Sequence, residues 1–438
     1  MGVLRKREDN WVDGLRGIAA LMVVTGHLCT AYAPHYHSPA MTADGSQVLL
    51  WQRPFFRLCV GERGAVAIFF IITGFVNSLN PVKEARADNI AVSLKNLSRS
   101  TFTRSGRLVL PTSIATIVSW IFAQSGAYKL AARIDAPWIS WGALFPDPLG
   151  IALDKLFRTL TLFWSTGAHA YDGVYWTLRF FLSGSFQVYL ALLAMMLVTK
   201  RFWYLITLFL YIYSWCTGDF LVGINVFFGV FLAQLQTDLG PRVNSLLPRL
   251  VSSLIVVLGL YCWSFPDENH DWAGWSRSMK SFMIQIIPVN ADISRYWVSV
   301  GTCITMLGIL FSPDARRFLT LPFLNFLGRC SLPVYLIHNT LVRSLLVWML
   351  YGTAAAKTPA VDAQGKMIVL QRPSIGVFLV VIPFFYVILY AAAYLWTLYI
   401  DPICARSVEK MKDLMFKNEN RILLQEKTFP LTSVKSVT

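Results

Sequence analysis

His27 lies in an apolar stretch near the amino terminus, and Arg16 precedes it by eleven positions. On an α-helix, this spacing brings the two side chains within about 20° of one face and about 16 Å apart along the axis. If the helix spans a bilayer, the arginine lies at the interface and the imidazole near the midplane. An ionisable side chain at that depth is tolerated mainly where it faces a bundle interior or a watery cavity. His27 is therefore the first candidate for a functional residue.

The composition predicts an integral membrane protein. Of the 438 residues, 55% are hydrophobic and 14% are charged, and the mean hydropathy is +0.52, whereas soluble domains carry about 25% charged residues. Apolar runs long enough to cross the hydrocarbon layer predict an all-α integral membrane fold, a polytopic bundle of about ten transmembrane helices. The runs lie near residues 16–34, 64–80, 108–124, 180–198, 203–218, 220–236, 249–265, 296–312, 332–351 and 375–400.

Charge and cysteine usage narrow the class of protein further. The net charge of +15 comes from lysines and arginines concentrated in alternate loops, which predicts that both termini are cytosolic. A nucleic-acid partner is therefore not expected, and the expected partners are the lipid bilayer and a small molecule. The seven cysteines include no Cys-x-x-Cys pair, so neither a disulfide framework nor a metal site is expected. The sequence leaves open whether the membrane is that of the endoplasmic reticulum or the plasma membrane.

Two regions stand apart from the predicted spans. Residues 125–178 are rich in aromatic side chains on the predicted non-cytosolic side, which predicts a lid packed over the helix bundle. Residues 405–438 are charged and mostly polar, which predicts a basic cytosolic tail after a membrane domain covering residues 1–404. Glu62 and Arg63, at the non-cytosolic end of the second span, are expected to pair with one another or with solvent.

A second intramembrane histidine, His338, shares one helix stripe with Ser331 and Tyr335, because the three lie at positions i, i+4 and i+7. Their predicted depth is comparable to that of His27. Two interpretations of His338 stay open: it orients substrate or relays a proton, or it is a packing histidine hydrogen-bonded across helices. Asp172, in the lid, is a candidate for an access or acceptor role.

The motifs around these residues resemble those of the membrane acyltransferase-3 family, whose members transfer acyl groups to hydroxyls of sugars and small molecules. Arg16 and His27 match an Arg-x10-His pattern within Asp13-Gly-Leu-Arg-Gly-x-Ala-Ala. Arg104 and Arg107 match Arg-x-x-Arg-[Leu/Ile]-x-x-Pro. Two further matches are Gly64-Ala-Val-Ala-Ile-Phe-Phe-Ile-Ile-Thr-Gly-Phe75 and Leu327-Gly-Arg-Cys-Ser-Leu-Pro-Val-Tyr-Leu-Ile-His338.

The resemblance implies an acyl-CoA-dependent O-acyltransferase without a metal or prosthetic group. His27 is then the general base that deprotonates the acceptor hydroxyl as that oxygen attacks the thioester carbonyl. Arg16, with Asp13 three residues before it, is implied to belong to the same site. Arg104 and Arg107 are implied to join Arg16 in a cytosolic cluster for the phosphates of coenzyme A. Plain structural roles stay open for each residue: helix packing for the histidine, and a positive-inside flank or ordinary loop positions for the arginines.

One position departs from the family pattern. Tyr175-Trp-Thr-Leu-Arg-Phe-Phe181 resembles Trp-[Ser/Thr]-Leu-x-x-Glu, but Phe181 holds the glutamate position. Three interpretations stay open: the acceptor site is rebuilt for an apolar substrate, another acid such as Asp172 takes over, or catalysis is impaired. The variant motif, followed by Gly184-Ser185, resembles the eukaryotic, fungal-type branch of the family. The resemblance to that branch implies that the acceptor is a lipophilic small molecule or secondary metabolite and that the acyl group is acetyl.

Two other functions compete with the acyltransferase. A proton-coupled transporter would use His27 and His338 as proton carriers, and a catalytically inactive scaffold would account for Phe181. The transporter is disfavoured because the sequence lacks two related halves with matching spans broken by glycine or proline. The sequence also lacks a Ser/His/Asp or Gly-x-Ser-x-Gly pattern, which favours direct transfer over a covalent acyl-enzyme.

Overall fold

A computed structural model describes residues 10–416 of the chain. The described residues are mostly helical and form no β-strand; two isolated β-bridges join Ile134 to Leu370 and Val361 to Met367. The predicted all-α fold is therefore confirmed. The helices are, in chain order, α1 (Trp11–Tyr32), α2 (Glu62–Arg86), α3 (Ile90–Gln124), α4 (Pro137–Ser140), α5 (Leu149–Thr166), α6 (Trp176–Met195), α7 (Trp203–Cys216), α8 (Gly223–Leu239), α9 (Arg249–Trp263), α10 (Gly274–Met283), α11 (Ile293–Phe311), α12 (Pro313–Leu319), α13 (Pro322–Arg329), α14 (Ser331–Leu341), α15 (Val347–Lys357) and α16 (Ile375–Met415).

Each of the predicted apolar runs is helical in the structure. Within the described chain, 7 helical segments are long and apolar enough to cross a membrane: α1, α2, α3, α6, α11, α16, and the continuous helix formed by α14, a π-helical turn and α15. The remaining runs correspond to α7, α8 and α9, which have 14, 17 and 15 residues. The protein is therefore a multi-pass membrane protein. The predicted number of about ten crossings combines these 7 segments with the three shorter helices.

The first helix, α1, packs against α2, α13 and α14. Its close approach to α12 and α13 depends on two glycines. A Cβ atom added at Gly14 would lie 1.8 Å from the Leu319 carbonyl oxygen, and one added at Gly17 would lie 2.6 Å from the Leu324 carbonyl oxygen. The small residues on either side of Arg16 therefore let α1 sit directly on its neighbours, as small residues commonly do in membrane helix packing.

The second helix, α2, packs closely on α8 and also contacts α3, α6 and α11. A Cβ atom added at Gly74 would lie 2.0 Å from the Val226 carbonyl oxygen, and one added at Gly229 would lie 2.2 Å from the Ile71 carbonyl oxygen. The two backbones thus touch at facing glycines. Together α1, α2, α3, α6 and α14 surround the space in which the predicted site residues meet.

Residues 81–107, which lie between the predicted spans 64–80 and 108–124, are mostly helix. The α2 helix continues to Arg86 and α3 begins at Ile90, so Arg104 and Arg107 lie on a helix and not in a loop. Hydropathy marks only the part of a helix that is buried in lipid, whereas the backbone hydrogen bonds continue into polar sequence. The loop interpretation of these arginines is therefore wrong.

The predicted lid, residues 125–178, contains the 18-residue helix α5. This helix carries charged residues as well as exposed apolar ones such as Phe157. Because a membrane span is recognised in the sequence by a long run with few or no charges, α5 was not predicted as one. Elsewhere in the lid Tyr171 and Tyr175 are buried, whereas Trp141 is 87% exposed. The region contacts the bundle through some of its aromatic side chains and leaves others outside.

The predicted boundary after residue 404 does not end the last helix. The α16 helix crosses this position without interruption and ends at Met415. A change from apolar to polar sequence marks the edge of the membrane, but it removes no helical hydrogen bond. The rest of the predicted tail, residues 417–438, lies outside the described residues.

Candidate active site

His27 of α1 and His338 of α14 form a pair inside the bundle. His27 Nδ1 lies 3.0 Å from His338 Nε2, and the planes of the two rings differ by 10°. The His338 side chain is fully buried. The indole of Trp138, from α4 in the lid region, stacks on the His27 ring with 5.1 Å between the ring centroids. Direct contact between α1 and α14 thus joins two histidines that are far apart in the sequence.

Backbone carbonyl groups decide which nitrogen of each ring carries a proton. His338 Nδ1 lies 2.8 Å from the Tyr335 carbonyl oxygen and 3.1 Å from the Val334 carbonyl oxygen. Because a carbonyl oxygen only accepts, His338 Nδ1 is the donor, and Nε2 of the neutral ring is an acceptor. His27 Nδ1 therefore donates to His338 Nε2. The unprotonated, basic nitrogen of His27 is consequently Nε2.

The three predicted arginines line one cavity of about 200 Å³, which we call the arginine cavity. Arg16 comes from α1, and Arg104 and Arg107 come from α3. Ser331 and Tyr335, from the predicted stripe of α14, line the same cavity. The fold therefore brings these five predicted site residues around one space.

Asp13 forms an ion pair with Arg16, which lines this cavity. Its carboxylate lies 3.2 Å from the Arg16 guanidinium, one helical turn further along α1, and the Asp13 residue is only 3% exposed. The backbone around Asp13 is itself tightly packed, because a Cβ atom added at Gly328 would lie 1.9 Å from the Asp13 carbonyl oxygen. The two residues thus form an ion pair in a fixed position.

Arg104 and Arg107 have different surroundings. The Arg104 guanidinium meets the hydroxyl groups of Ser185 and Thr73, each at 3.4 Å, and no carboxylate within residues 10–416. The Arg107 side chain is 61% exposed and lies 3.9 Å from Glu409. An inward-facing guanidinium whose partners are neutral is available for a phosphate or carboxylate. Arg104 is therefore the stronger candidate for binding an anionic ligand.

Within the described part of the chain, no three or more His, Cys, Asp or Glu side chains are grouped as a metal site requires.

His27 lines a second cavity, of about 230 Å³, which we call the histidine cavity. Its basic Nε2 lies 3.5 Å from Glu62 Oε2. Tyr335 lines both cavities. The other residues lining the histidine cavity are Val23, Arg63, Val66, Val174, Trp176, Thr177 and Arg295.

Phe181, at the position of the family's glutamate, lines the arginine cavity. Its ring stacks on Phe70, with 4.4 Å between the ring centroids and 24° between the planes. It is not among the residues lining the histidine cavity. The substitution therefore makes a wall of the arginine cavity apolar, while the acid that comes near His27 is Glu62.

Glu62 and Arg63 form no ion pair with one another in the described structure, so the pairing expected between these two residues is wrong. Arg63 Nε lies 3.1 Å from Asp267 Oδ1, and Arg63 Nη1 lies 3.2 Å from Asp292 Oδ2. Consecutive helical residues point about 100° apart, so the two side chains meet different neighbours. Glu62 is directed to His27, while Arg63 is directed to the segments around α11.

Asp267 organises a charged network outside the membrane-spanning segments. It lies 3.1 Å from His37 Nδ1 and 3.1 Å from Arg63 Nε. Burial alone would raise the pKa of Asp267, but the hydrogen bond from His37 and the nearby positive charges, including Arg57, lower the pKa to about 2. Burial would lower the pKa of His37, and the hydrogen bond and charge of Asp267 outweigh it and raise the pKa. Both shifts favour the ionised pair, which ties the segment after α1 to the segment after α9.

Asp172 is in contact with Asn339 and not with His27. The residue is 1% exposed, and its Oδ1 accepts a hydrogen bond from Asn339 Nδ2 at 2.6 Å. Burial raises the pKa of Asp172 despite the nearby charge of Arg343. Asp172 lines neither the arginine cavity nor the histidine cavity. The structure thus holds Asp172 against Asn339, the residue that follows His338 on α14.

Sequence reasoning missed Glu62 as a neighbour of His27, although a signal was present. Gly26 immediately precedes His27, and a Cβ atom added there would lie 2.6 Å from Glu62 Cβ. A glycine beside an intramembrane histidine marks a point where another helix comes close. No feature of the sequence identifies which residue of that helix lies near His27.

The chain matches a known family over nearly its whole length. A family model described as an acyltransferase domain, Acyl_transf_3, matches residues 9–400. This range contains every helix that lines the two cavities. No solved structure matches the chain.

Three similar proteins are fungal. O-acetyltransferase PaAT-1 of Phomopsis amygdali is 26% identical over 381 residues, covering 77% of this chain and 72% of PaAT-1. Acyltransferase R4 of a Phoma species is 23% identical over 392 residues, covering 76% of this chain and 82% of R4. Acyltransferase clz18 of Cochliobolus lunatus is 24% identical over 395 residues, covering 76% and 82%. Together with the family match, these similarities show that the chain belongs to the acyltransferase-3 family of multi-pass membrane acyltransferases.

Proposed function

We propose that the protein transfers an acetyl group from acyl-CoA to a hydroxyl group of a lipophilic small metabolite, with His27 as the general base. The arrangement that carries this proposal is the basic nitrogen of His27 in one cavity, beside Tyr335, which also lines the arginine cavity. The name of O-acetyltransferase PaAT-1 supports acetyl as the group and oxygen as the acceptor atom. Both termini are proposed to be cytosolic, from the distribution of basic residues.

The arginine cavity is the proposed site of the donor's phosphates. Guanidinium groups bind phosphates through paired N–H donors, and Arg104 has only neutral partners among the described residues. Arg16 and His27 lie about 16 Å apart along α1. The pantetheine arm of coenzyme A would therefore extend along α1 and past Tyr335 to bring the thioester to His27.

The proposed reaction is a direct transfer. The acceptor hydroxyl gives its proton to His27 Nε2 while its oxygen forms a bond to the acyl carbonyl carbon. The carbon–sulfur bond then breaks, and the leaving thiolate takes the proton from the imidazolium. The products are an ester and free coenzyme A. His338 supports this role because its Nε2 engages His27 Nδ1 at 3.0 Å and leaves His27 Nε2 as the base.

The histidine cavity is the proposed site of the acceptor. Its apolar lining includes Val23, Val66 and Val174. Its polar lining residues are His27, Glu62, Arg63, Thr177, Arg295 and Tyr335. Sites for small molecules commonly combine an apolar lining with a few polar groups that fix orientation. A metabolite with an apolar body, a hydroxyl directed at His27 Nε2 and further polar groups facing Arg63 or Arg295 fits this lining.

The proposal is tested with purified protein in detergent, labelled acetyl-CoA and an organic extract of the host organism. We expect label to appear in an esterified component of the extract, together with an equal amount of free coenzyme A. The mass of the product identifies the acceptor. Protein that binds no acyl-CoA and transfers no label would contradict the proposal, and proton flux in proteoliposomes would then support the transporter.

Replacing His338 with phenylalanine is expected to lower kcat by about 10- to 100-fold, a loss typical when the partner that orients a functional histidine is removed. Phenylalanine keeps the packing volume but cannot accept the hydrogen bond from His27 Nδ1. His338→Gln retains an acceptor oxygen and is expected to keep more activity than His338→Phe. Steady-state rates of label transfer measure both variants, and binding of acyl-CoA confirms that they are folded. Equal activity in the two variants would contradict the positioning role of His338.

A further inference from the structure

We propose that Glu62 is a positioning residue for His27, whose carboxylate holds the imidazolium that forms when His27 takes the acceptor's proton. This inference rests on the proposed acyl transfer and deepens it. It adds a residue of α2 to the pair formed by His27 of α1, the base, and His338 of α14, its partner.

The first support is the geometry of the pair. Glu62 Oε2 lies 3.5 Å from His27 Nε2, which is longer than a hydrogen bond of about 2.7–3.2 Å. The approach depends on Gly26, because a Cβ atom there would lie 2.6 Å from Glu62 Cβ and 2.8 Å from Glu62 Oε2. A small movement of either side chain closes the remaining gap, and catalytic hydrogen bonds often shorten only when substrate is bound.

The second support is a missing donor. Glu62 Oε2 is buried and accepts no hydrogen bond from any residue in the described range 10–416. A buried carboxylate oxygen without a donor is costly and calls for an explanation. In the resting pair His27 Nε2 has no proton, because His27 Nδ1 is the nitrogen that donates to His338. The N–H that appears on Nε2 after proton transfer is the donor that Glu62 lacks.

The third support is the balance of charge. His338 cannot neutralise an imidazolium at His27, because its own Nδ1 donates to backbone carbonyls and its Nε2 is a neutral acceptor. A buried positive charge is costly without an opposite charge nearby. A carboxylate beside Nε2 supplies that charge in a site of low dielectric, where it lowers the energy of the charge that develops during transfer.

The other nearby acids do not line the histidine cavity. Asp267 is held by His37 and Arg63, each at 3.1 Å. Asp172 Oδ1 accepts a hydrogen bond from Asn339 Nδ2, and although Asp172 Oδ2 also lacks a donor among the described residues, Asp172 lines neither cavity. Among the acids of the described chain, Glu62 is the one that both lines the histidine cavity and lies beside His27 Nε2. An acid at position 181 would face the arginine cavity instead, so Phe181 does not deprive His27 of a partner.

The test compares three substitutions at Glu62 and Glu268, with release of coenzyme A from acetyl-CoA in the presence of the host extract as the readout. Glu62→Gln keeps the size and removes the charge, and we expect kcat to fall by about 100-fold with unchanged binding of acyl-CoA. Glu62→Ala leaves space for a small carboxylate, and we expect added formate to restore its kcat in proportion to concentration. Glu268→Gln, the same substitution at an exposed acid, is expected to leave kcat unchanged.

Formate rescue separates positioning from a structural role, because filling a packing defect does not require a carboxylate. His27→Asn treated with formate is expected to stay inactive. Wild-type kcat in Glu62→Gln, or no rescue of a Glu62→Ala protein that binds acyl-CoA, would overturn the role of Glu62 and leave acyl transfer standing. If Glu62→Ala does not fold, Glu62→Gln decides alone. A wild-type protein that releases no coenzyme A would overturn the proposed function instead.

Discussion

Replacing His27 with asparagine is expected to lower the kcat of acyl transfer by about 10²- to 10⁴-fold, the contribution of a positioned general base. Asparagine retains a polar side chain of moderate size but offers no nitrogen that takes up a proton at neutral pH. Binding of acyl-CoA is expected to persist, because Arg16, which lines the arginine cavity, lies about 16 Å away along α1, and His27 does not line that cavity. Label transfer measures kcat, and equilibrium binding of labelled acyl-CoA in detergent measures the affinity for the donor.

The matched control for His27 is His35→Asn. His35 lies just after α1 and lines neither the arginine cavity nor the histidine cavity. We expect this variant to keep wild-type kcat. Comparable activity in His27→Asn and His35→Asn would show that His27 is a packing histidine, and the base would then have to be sought elsewhere in the histidine cavity.

Replacing Arg104 with glutamine is expected to raise the Kd for acetyl-CoA by about 10- to 100-fold, since a hydrogen bond to a charged group contributes about 1.5–3 kcal/mol. At saturating donor, kcat is expected to remain near the wild-type value. The same change at Arg107 is expected to have a smaller effect, because that side chain is 61% exposed and lies 3.9 Å from Glu409. Equilibrium binding of labelled acetyl-CoA to each variant measures these differences.

A truncated donor sharpens the experiment on Arg104. Acetyl-pantetheine carries the thioester but none of the nucleotide phosphates, so its transfer should be insensitive to Arg104→Gln. The control variant is Arg158→Gln on α5, an arginine that is 67% exposed and paired with Asp154. If Arg104→Gln weakens both donors equally, Arg104 shapes the cavity and does not bind phosphate.

Relationships within one helix were predictable from the sequence. Arg16 and His27 share a face of α1, and Ser331, Tyr335 and His338 share a stripe of α14, because helical geometry alone sets the direction of each side chain. In the structure Ser331 and Tyr335 line the arginine cavity, while His338 meets His27. Helix ends were harder to predict, since hydropathy reports burial in lipid and the hydrogen bonds of α2 and α3 continue beyond it.

Relationships between helices were not predictable. Glu62 and Arg63 are neighbours in sequence, and the sequence predicted that they pair with one another or with solvent. The fold instead brings Asp267 and Asp292 to Arg63, at 3.1 Å and 3.2 Å. The choice of partners for Arg63 depends on how α2 and α11 pack. Helix packing is decided by shape complementarity over many residues. The sequence could not show which site the phenylalanine at position 181 affects. The structure shows that its ring lines the arginine cavity.

The sequence by itself determined the membrane class, the helical fold and the family, because composition and motif spacing are local properties of the chain. Tertiary structure alone decided that His27 Nδ1 faces His338, that Glu62 lies near His27 Nε2, and that Tyr335 lines both cavities. These features join residues of α1, α2 and α14 that are far apart in sequence. The physical reason is that a proton's location depends on the donors and acceptors around it, and only the folded bundle brings those groups together.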